Sequence, residues 1–259
     1  MIRLDRYLAT LGVGSRSQVQ KLIRQGAARV DGVPVRDPGF ACREGADLTV
    51  NGEMLDSRLM RHVMLNKPAG LLTAARDKKQ STVMDLLPPV YASIGCMPVG
   101  RLDKDTTGLL LLTCDGELNH RLLAPNRHVD KTYIAQVDAP LCPGHVQAFA
   151  EGLDLGNFTA QGAALTILAP QTARVTVHEG KFHQVKRMFE AVGLTVTALH
   201  RELFGPLTLP ADLPEGAWRE LTEEETAALY HAAQMEEHPC PSNITPPTPP
   251  ANPDRRAAH

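Results

Sequence analysis

Two stretches of the chain hold residue types that could do chemistry. The first reads Gly100-Arg101-Leu102-Asp103-Lys104-Asp105-Thr106-Thr107-Gly108 and runs straight into Leu109-Leu110-Leu111-Leu112. A short charged turn closed by glycines is thereby set against one of the most apolar segments of the sequence. Asp103 is pinned beside a core there. A rigidly held carboxylate whose ionisation is set by its neighbours suits acid, base or nucleophilic work. Taken alone, the same residues also read as a turn with an Arg101 to Asp103 ion pair at a domain seam. The second stretch is Val175-Thr176-Val177-His178-Glu179-Gly180-Lys181-Phe182-His183-Gln184-Val185-Lys186-Arg187-Met188-Phe189. It reads as a strand that turns at Gly180 and enters a helix with Val185, Met188, Phe189 and Val192 as its apolar stripe. Lys186 and Arg187 occupy adjacent positions, which diverge by roughly 100° around a helix. One can face a cleft while the other faces phosphate or solvent. His178 and His183 lack the spacing to a third ligand that a metal site needs. Asp103 and Asp105 are too close in sequence to flank a glycosidic bond as an acid/base pair.

The elements that must position these residues are partly legible. Four consecutive leucines form a buried strand or a buried helical turn, and periodicity does not separate the two. The glycine and threonine around them and the polar Cys114-Asp115-Gly116-Glu117 favour a short element ending in a turn. His62-Val63-Met64-Leu65-Asn66-Lys67 reads as a strand entering a Pro68-Ala69-Gly70 turn. Residues 73–90 are polar, with a short helix at 82–87 and a stop at Pro88-Pro89. Residues 117–123 make a helical turn or two, followed by a polar segment, Pro125-Asn126-Arg127-His128-Val129-Asp130. Residues 131–137 then alternate as a strand, with Lys131 and Tyr133 on one face and Ile134 on the other. Tyr133 is then either an edge core aromatic or a ring offered to a nucleobase. A helix is expected at residues 143–152 with Val146, Phe149 and Ala150 inward, then strands at 163–168, 174–178 and 194–199. Thr222 caps a helix over 223–233, with Glu225 completing a capping box.

The first part of the chain reads as a separate small module. Leu4, Leu8 and Leu11 share a helical face, Gly12-Val13-Gly14 breaks that helix, and Ser15 caps a second one over 16–25. The alternation around Asp31-Gly32 signals a hairpin, and residues 47–52 add a strand. The module ends near residue 55, with a short linker at 56–60. Net charge is −2 over the chain, yet residues 1–45 carry eight Arg or Lys against four acids. The acids concentrate instead between Glu220 and Glu237, and a polyanion responds to the local patch rather than to the sum. Five scattered cysteines without a paired spacing argue against a disulfide framework or a structural zinc and suit a reducing cytoplasm. No apolar run reaches membrane-spanning length, and the first residues lack a signal-peptide core. From Pro239 to Asp254, seven of sixteen residues are proline, which reads as a disordered tail over 238–259.

Arg3-Leu4-Asp5 to Leu8, Gly14-Ser15-Arg16-Ser17, Ile23-Arg24-Gln25-Gly26, Val30-Asp31-Gly32 and Val33-Pro34-Val35 together resemble the S4-type RNA-binding domain. Three further pieces resemble the pseudouridine synthases, in particular the RsuA-type branch that acts on small-subunit ribosomal RNA. These are Leu65-Asn66-Lys67-Pro68-Ala69-Gly70, the Arg101-Leu102-Asp103 turn with Thr106-Thr107-Gly108-Leu109, and residues 179–189. Lys131-Thr132-Tyr133, Leu199-His200-Arg201-Glu202 and Leu221-Thr222-Glu223-Glu224-Glu225 support them. Their order and spacing are specific together where each is weak alone.

The resemblance implies an α+β fold: an S4-like module over 1–58 and a catalytic domain over 60–233 with a mixed, largely antiparallel sheet flanked by helices. It implies isomerisation of a uridine to pseudouridine in 16S ribosomal RNA, at position 516, without metal or cofactor. Asp103 would be the catalytic aspartate, Tyr133 the tyrosine that stacks on the target base, and Lys186 the cation paired with the aspartate, although Arg187 could take that inward place. Arg3, Arg16, Lys21, Arg24 and Arg29 of the module would contact RNA, as would Lys67, Arg101, Lys181, His183 and Arg187 of the larger region. Leu203 would fill an apolar contact below the base. The carboxylate would act as nucleophile or in a glycal-type route, and the residues do not choose between them. The partner is ribosomal RNA, free or in an assembling small subunit, met by a cytoplasmic monomer with no membrane contact. The alternatives are a 23S enzyme, whose third motif runs differently from Lys181-Phe182-His183-Gln184, and a non-catalytic RNA-binding or ribosome-assembly protein.

Overall fold

The computed structural model of the protein describes residues 1–124 and 129–235 of the 259. Most of the polar segment expected before residue 131 and the expected Pro-rich tail lie outside the described residues. The first 55 residues form a unit with its own core. β1 (Ile2–Arg3) leads into α1 (Leu4–Thr10), and α2 (Arg16–Arg24) follows. Ser15 caps α2: its hydroxyl accepts from the Gln18 amide, and the Gln18 side chain accepts from the Ser15 amide. β2 (Ala28–Val30) and β3 (Val33–Val35) pair across Asp31 and Gly32, both at positive φ. That is the conformation a two-residue hairpin of twist-matched strands requires. β4 (Ala41–Cys42) pairs with β1, and β5 (Leu48–Val50) and β6 (Glu53–Leu55) complete a sheet in the order β3-β2-β5-β6. Leu4, Tyr7, Leu8, Val19, Ile23 and Leu48 pack together beneath it.

Residues 56–60 are not a loose connector. Arg58 Nη1 lies 2.9 Å from Glu220, and Arg58 and Arg61 both pair with Asp56. Burial raises the pKa of Asp56, but bonding from Arg58 and the nearby Arg61 charge outweigh it and hold the carboxyl below its usual range.

The larger region is built on one mixed sheet. Its elements are β7 (His62–Lys67), a 3-10 turn at Val83–Leu86, α3 (Pro89–Ser93), β8 (Met97–Pro98), β9 (Thr107–Thr113) and α4 (Gly116–Leu123). Then come β10 (Lys131–Val137), α5 (Pro143–Glu151), β11 (Leu153–Asp154), β12 (Thr159–Ala160), β13 (Ala164–Ala169) and β14 (Thr172–Val177). α6 (Gln184–Ala191), β15 (Val196–Phe204), β16 (Leu207–Thr208), β17 (Trp218–Glu220) and α7 (Glu223–Ala232) finish it. The strand order is β13-β14-β10-β15-β9-β7-β17, with β16 on β15 and β8 on β9. Among the described residues, every pairing in this sheet is antiparallel except β15 with β9, where His200 meets Thr107 and Arg201 meets Gly108. The four leucines are therefore a strand. Leu110 and Leu112 pack with Val63, Leu65 and Tyr133 on one side, while Leu109 and Leu111 pack with Met64, Leu118, Phe204 and Leu229 on the other. Burial on both faces erases the alternation that would otherwise mark a strand.

One local expectation is met and extended, and another fails in part. Pro88-Pro89 does not merely stop a helix: Pro89 opens α3, where a residue without an N–H and with φ already fixed costs nothing. Ala150 is exposed, whereas Phe149 fills the core from α5, against Phe189 of α6 at 4.9 Å between rings, and half-buried Val146 packs against the same core as expected. Among the described residues, no helix is long and apolar enough to cross a membrane.

Candidate active site

Asp103 sits on the loop between β8 and β9, and that loop is fixed from below. Buried Leu102 anchors it, its carbonyl accepting from the Thr73 hydroxyl at 2.8 Å. Lys67, fully buried at the end of β7, donates from Nζ to the carbonyls of Thr106 at 2.9 Å, Pro68 at 3.0 Å and Lys104 at 3.3 Å. The expected RNA contact of Lys67 does not fit this placement: the ammonium points into the protein and ties the loop down. Burial brings its pKa down to about 8, against the opposing pull of Asp105, Asp103 and Glu215. Gly108 lets the loop enter β9. At φ +100°, a Cβ there would lie 2.3 Å from the Arg201 carbonyl oxygen. Only glycine allows β9 and β15 to meet in parallel at this point.

From the other side comes the stretch 178–189. Lys186 Nζ lies 3.3 Å from Asp103 Oδ2, and 2.7 and 2.9 Å from the two oxygens of Asp105. The choice between Lys186 and Arg187 is thus settled by position. Arg187 turns the other way, donating to the Leu155 carbonyl and Asn157 Oδ1 and lying over the Phe158 ring, and does not face the cleft as an RNA ligand. Burial lowers the Lys186 pKa, yet the two aspartates raise it more, so the group stands above the ordinary lysine value. The Asp105 carboxyl is held below its usual range, mainly by the Lys186 bond. His183, in the left-handed conformation at φ +51°, brings Nε2 to 3.3 Å from Asp103 Oδ1.

Tyr133 lies on β10, a central strand between β14 and β15 rather than an edge, and is 8 % exposed. It lines the same cleft as Asp103, Lys186, His183, Arg101 and Lys181. The apolar lining includes Leu102, Leu199 and Phe204; Leu203, expected below the base, is not part of it, because the register shift between Thr132 and Tyr133 where β10 pairs with β15 breaks the alternation after Arg201 and brings Phe204 to the cleft instead. Two basic residues of the cleft were not singled out from the sequence. Arg201 is 2 % exposed, donates from Nε to the Leu109 carbonyl at 2.7 Å, and sits 6.0 Å from the Tyr133 ring centre. Lys131 donates to the Val129 carbonyl, and burial together with the Arg201 charge brings its pKa down to about 8. Both stood inside recognisable motifs, but only the long-range pairing of β15 with β9 and β10 places them together.

The cleft therefore offers one aspartate half-shielded from water, two nitrogen groups on its two oxygens, and an aromatic wall. Such a site can balance charge developing at a sugar carbon while a flat base rests against a ring. On the small module, Arg3, Arg16, Lys21, Arg24 and Arg29 are all exposed. Fully buried Asp5 organises two of them, accepting from Arg3 and Arg16 at 3.2 Å and from Gln20 at 2.8 Å, with its pKa lowered chiefly by the Arg3 bond.

Residues 61–191 match the model of the RNA pseudouridylate synthase family, and residues 2–48 match the S4 domain. The chain is 42 % identical over 237 residues to the ribosomal small subunit pseudouridine synthase A of Pseudomonas aeruginosa, covering 88 % of this chain and all of that protein. It is 41 % identical over 233 residues to the Escherichia coli protein of the same name, again covering 88 % of this chain and all of that one. With an RNA pseudouridine synthase of Bacillus subtilis, YtzG, it shares 40 % identity over 234 residues, 88 % of this chain and 98 % of that one. A crystal structure of a pseudouridylate synthase superposes with a TM-score of 0.63 at 35 % identity, over 88 % of this chain and all of the other. Asp103 and Tyr133 lie in a cleft within the matched segment, behind an RNA-binding module, and the chain belongs to the RNA pseudouridylate synthases.

Proposed function

We propose that this protein converts one uridine of small-subunit (16S) ribosomal RNA into pseudouridine, with Asp103 as the acting carboxylate. The observation that carries the reading is the cleft itself: Asp103 is met on its two oxygens by His183 and Lys186, beside the wall formed by Tyr133. The choice of RNA rests on the relatives named for the small subunit, which the chain covers from end to end. Residues 1–58 grip folded RNA through Arg3, Arg16, Lys21, Arg24 and Arg29, contacts that position more than they specify. Residues 60–233 do the chemistry, with Arg101, Lys181 and His183 at the mouth of the cleft.

The target uridine leaves its stack and lies against Tyr133. As the bond from N1 to the sugar breaks, charge develops at the sugar carbon, where the Asp103 carboxylate acts as nucleophile or in a glycal-type route. The uracil turns, C5 bonds to the sugar carbon, and the C5 proton leaves for solvent while N1 gains one. No atom is gained or lost overall. The reaction takes place in the cytoplasm, on free RNA or an assembling particle.

The test is tritium release from C5 of labelled 16S RNA by the protein and by its D103A variant. Release is expected from the wild type and none from the variant, whose RNA affinity stays within a few fold. Loss of binding together with release would sink the catalytic assignment. Mapping carbodiimide-resistant positions in a deletion strain then names the nucleotide, with position 516 as the expected one. Loss of a 23S site instead would overturn the choice of RNA.

A further inference from the structure

Phe182 is an apolar ring that the fold leaves in water. It is 75 % exposed, although it stands one residue from His183, which touches the active carboxylate. Its ring stacks on that of His183, centroids 3.7 Å apart and planes 19° from parallel. Neighbouring residues rarely stack face to face. Here the left-handed backbone of His183, at φ +51° and ψ +27°, makes it so. A side-chain-bearing residue adopts that conformation at a cost and persists in it only when its surroundings hold it. They do: the Lys181 amide donates to Gln184 Oε1, the Arg187 amide donates to the His183 carbonyl, and Nε2 is fixed on Asp103. The result is a two-ring stack tied at its inner end to the catalytic carboxylate and bare at its outer end. Phe182 itself is outside the cleft that His183 lines.

We propose that the bare face of Phe182 is a stacking site for the unpaired base next to the target uridine in the bound RNA. This rests on the function proposed above. Flipping one nucleotide into the cleft strips a stacking partner from its neighbour. A rigid aromatic face just outside the cleft replaces the lost contact without asking which base it is, since every base has a π-face. The cations for the adjoining phosphates stand on either side of the mouth. Arg101 is exposed, and so is Lys181, whose ammonium lies 4.1 Å from the centre of the Phe158 ring and 3.4 Å from the Glu179 carboxylate. Tyr133 holds the reacting base, so Phe182 belongs to a second, separate nucleotide position.

The experiment uses the full-length protein and synthetic RNAs carrying the mapped target uridine, with the nucleotide on each side made abasic in turn. F182A is expected to raise KM by about tenfold with little change in kcat, and F182W to restore it. One of the two abasic RNAs should weaken the wild type by a similar factor and cost F182A nothing further. If F182A matches the wild type, or if its loss and the abasic loss multiply, the stacking site is wrong. Tritium release by the wild type on the intact RNA separates the two readings. An active wild type with multiplying losses overturns the stacking site alone, whereas an inactive wild type overturns the function and this inference with it.

Discussion

Lys186 Nζ sits between two carboxylates, closer to Asp105 than to Asp103. Distance alone would make Asp105 the partner that matters. Exposure argues the other way: the Asp105 side chain is 75 % exposed and that of Asp103 is 27 %. Water screens the first pair and leaves the second to act in a drier, less polarisable setting. K186M is therefore expected to lower kcat about a hundredfold, the usual scale for removing one electrostatic contact to a reacting centre. D105N should lower it by no more than about threefold and leave the melting temperature unchanged, as an exposed pair would. Single-turnover rates on the target RNA check both. A large loss in D105N with a small one in K186M would make Asp105 the acting acid.

At the scale of elements, Gly108 fixes the geometry that Asp103 needs. G108A forces a Cβ to 2.3 Å from one backbone oxygen of β15 and 2.7 Å from a backbone nitrogen, at a φ that disfavours alanine. A cost of about 3 kcal/mol is expected from strain and overpacking together, with a fall in kcat as the loop and Arg201 separate. G70A is the control: its φ is also positive, but nothing lies within 4 Å of the added carbon, so only the strain remains, about 1 kcal/mol. Urea unfolding of the two variants measures the difference. Such contacts also mark where the sequence stops being informative. The Ser15 cap, Asp31-Gly32, and Thr222 with Glu225 were readable because each signal lies within four residues of what it controls. The parallel meeting of β9 with β15 joins residues more than ninety apart, and no local pattern announces it. The roles of Lys67 and Arg201 follow from that meeting, so Lys67 read as an RNA contact and Arg201 was passed over. That Asp103, Tyr133 and Lys186 would share a cleft was legible for another reason: their motifs resemble a known family, and composition alone would have left Asp103 in a turn.

At the scale of the molecule, two cores meet at a charged seam. Glu220, at the end of β17, accepts from Tyr91 at 2.8 Å and pairs with Arg58 at 2.9 Å and Arg61 at 3.4 Å, while Asp56 neutralises the same two guanidiniums. The four charged side chains are each less than one-fifth exposed. The Tyr91 hydroxyl is pushed above its usual range by burial and then by Glu220. The residues that leave the RNA-binding module thus run straight into an ion network anchored near the end of the catalytic sheet. E220Q leaves two part-buried guanidiniums sharing one carboxylate. Breaking a buried pair costs about 3–5 kcal/mol; with water still reaching the edge of this one, a loss of about 2 kcal/mol is expected. The loss should be local to the seam, because neither core loses an apolar contact. Trypsin is accordingly expected to cut E220Q faster at Arg58 and Arg61, releasing the module, before either core unfolds. E117Q, which removes an exposed pair with Arg121 one helical turn away, should shift stability by no more than about 0.5 kcal/mol and leave the cleavage rate unchanged. Equal cleavage of E220Q and wild type would mean that the seam is held by packing, with the ion network merely accommodated there.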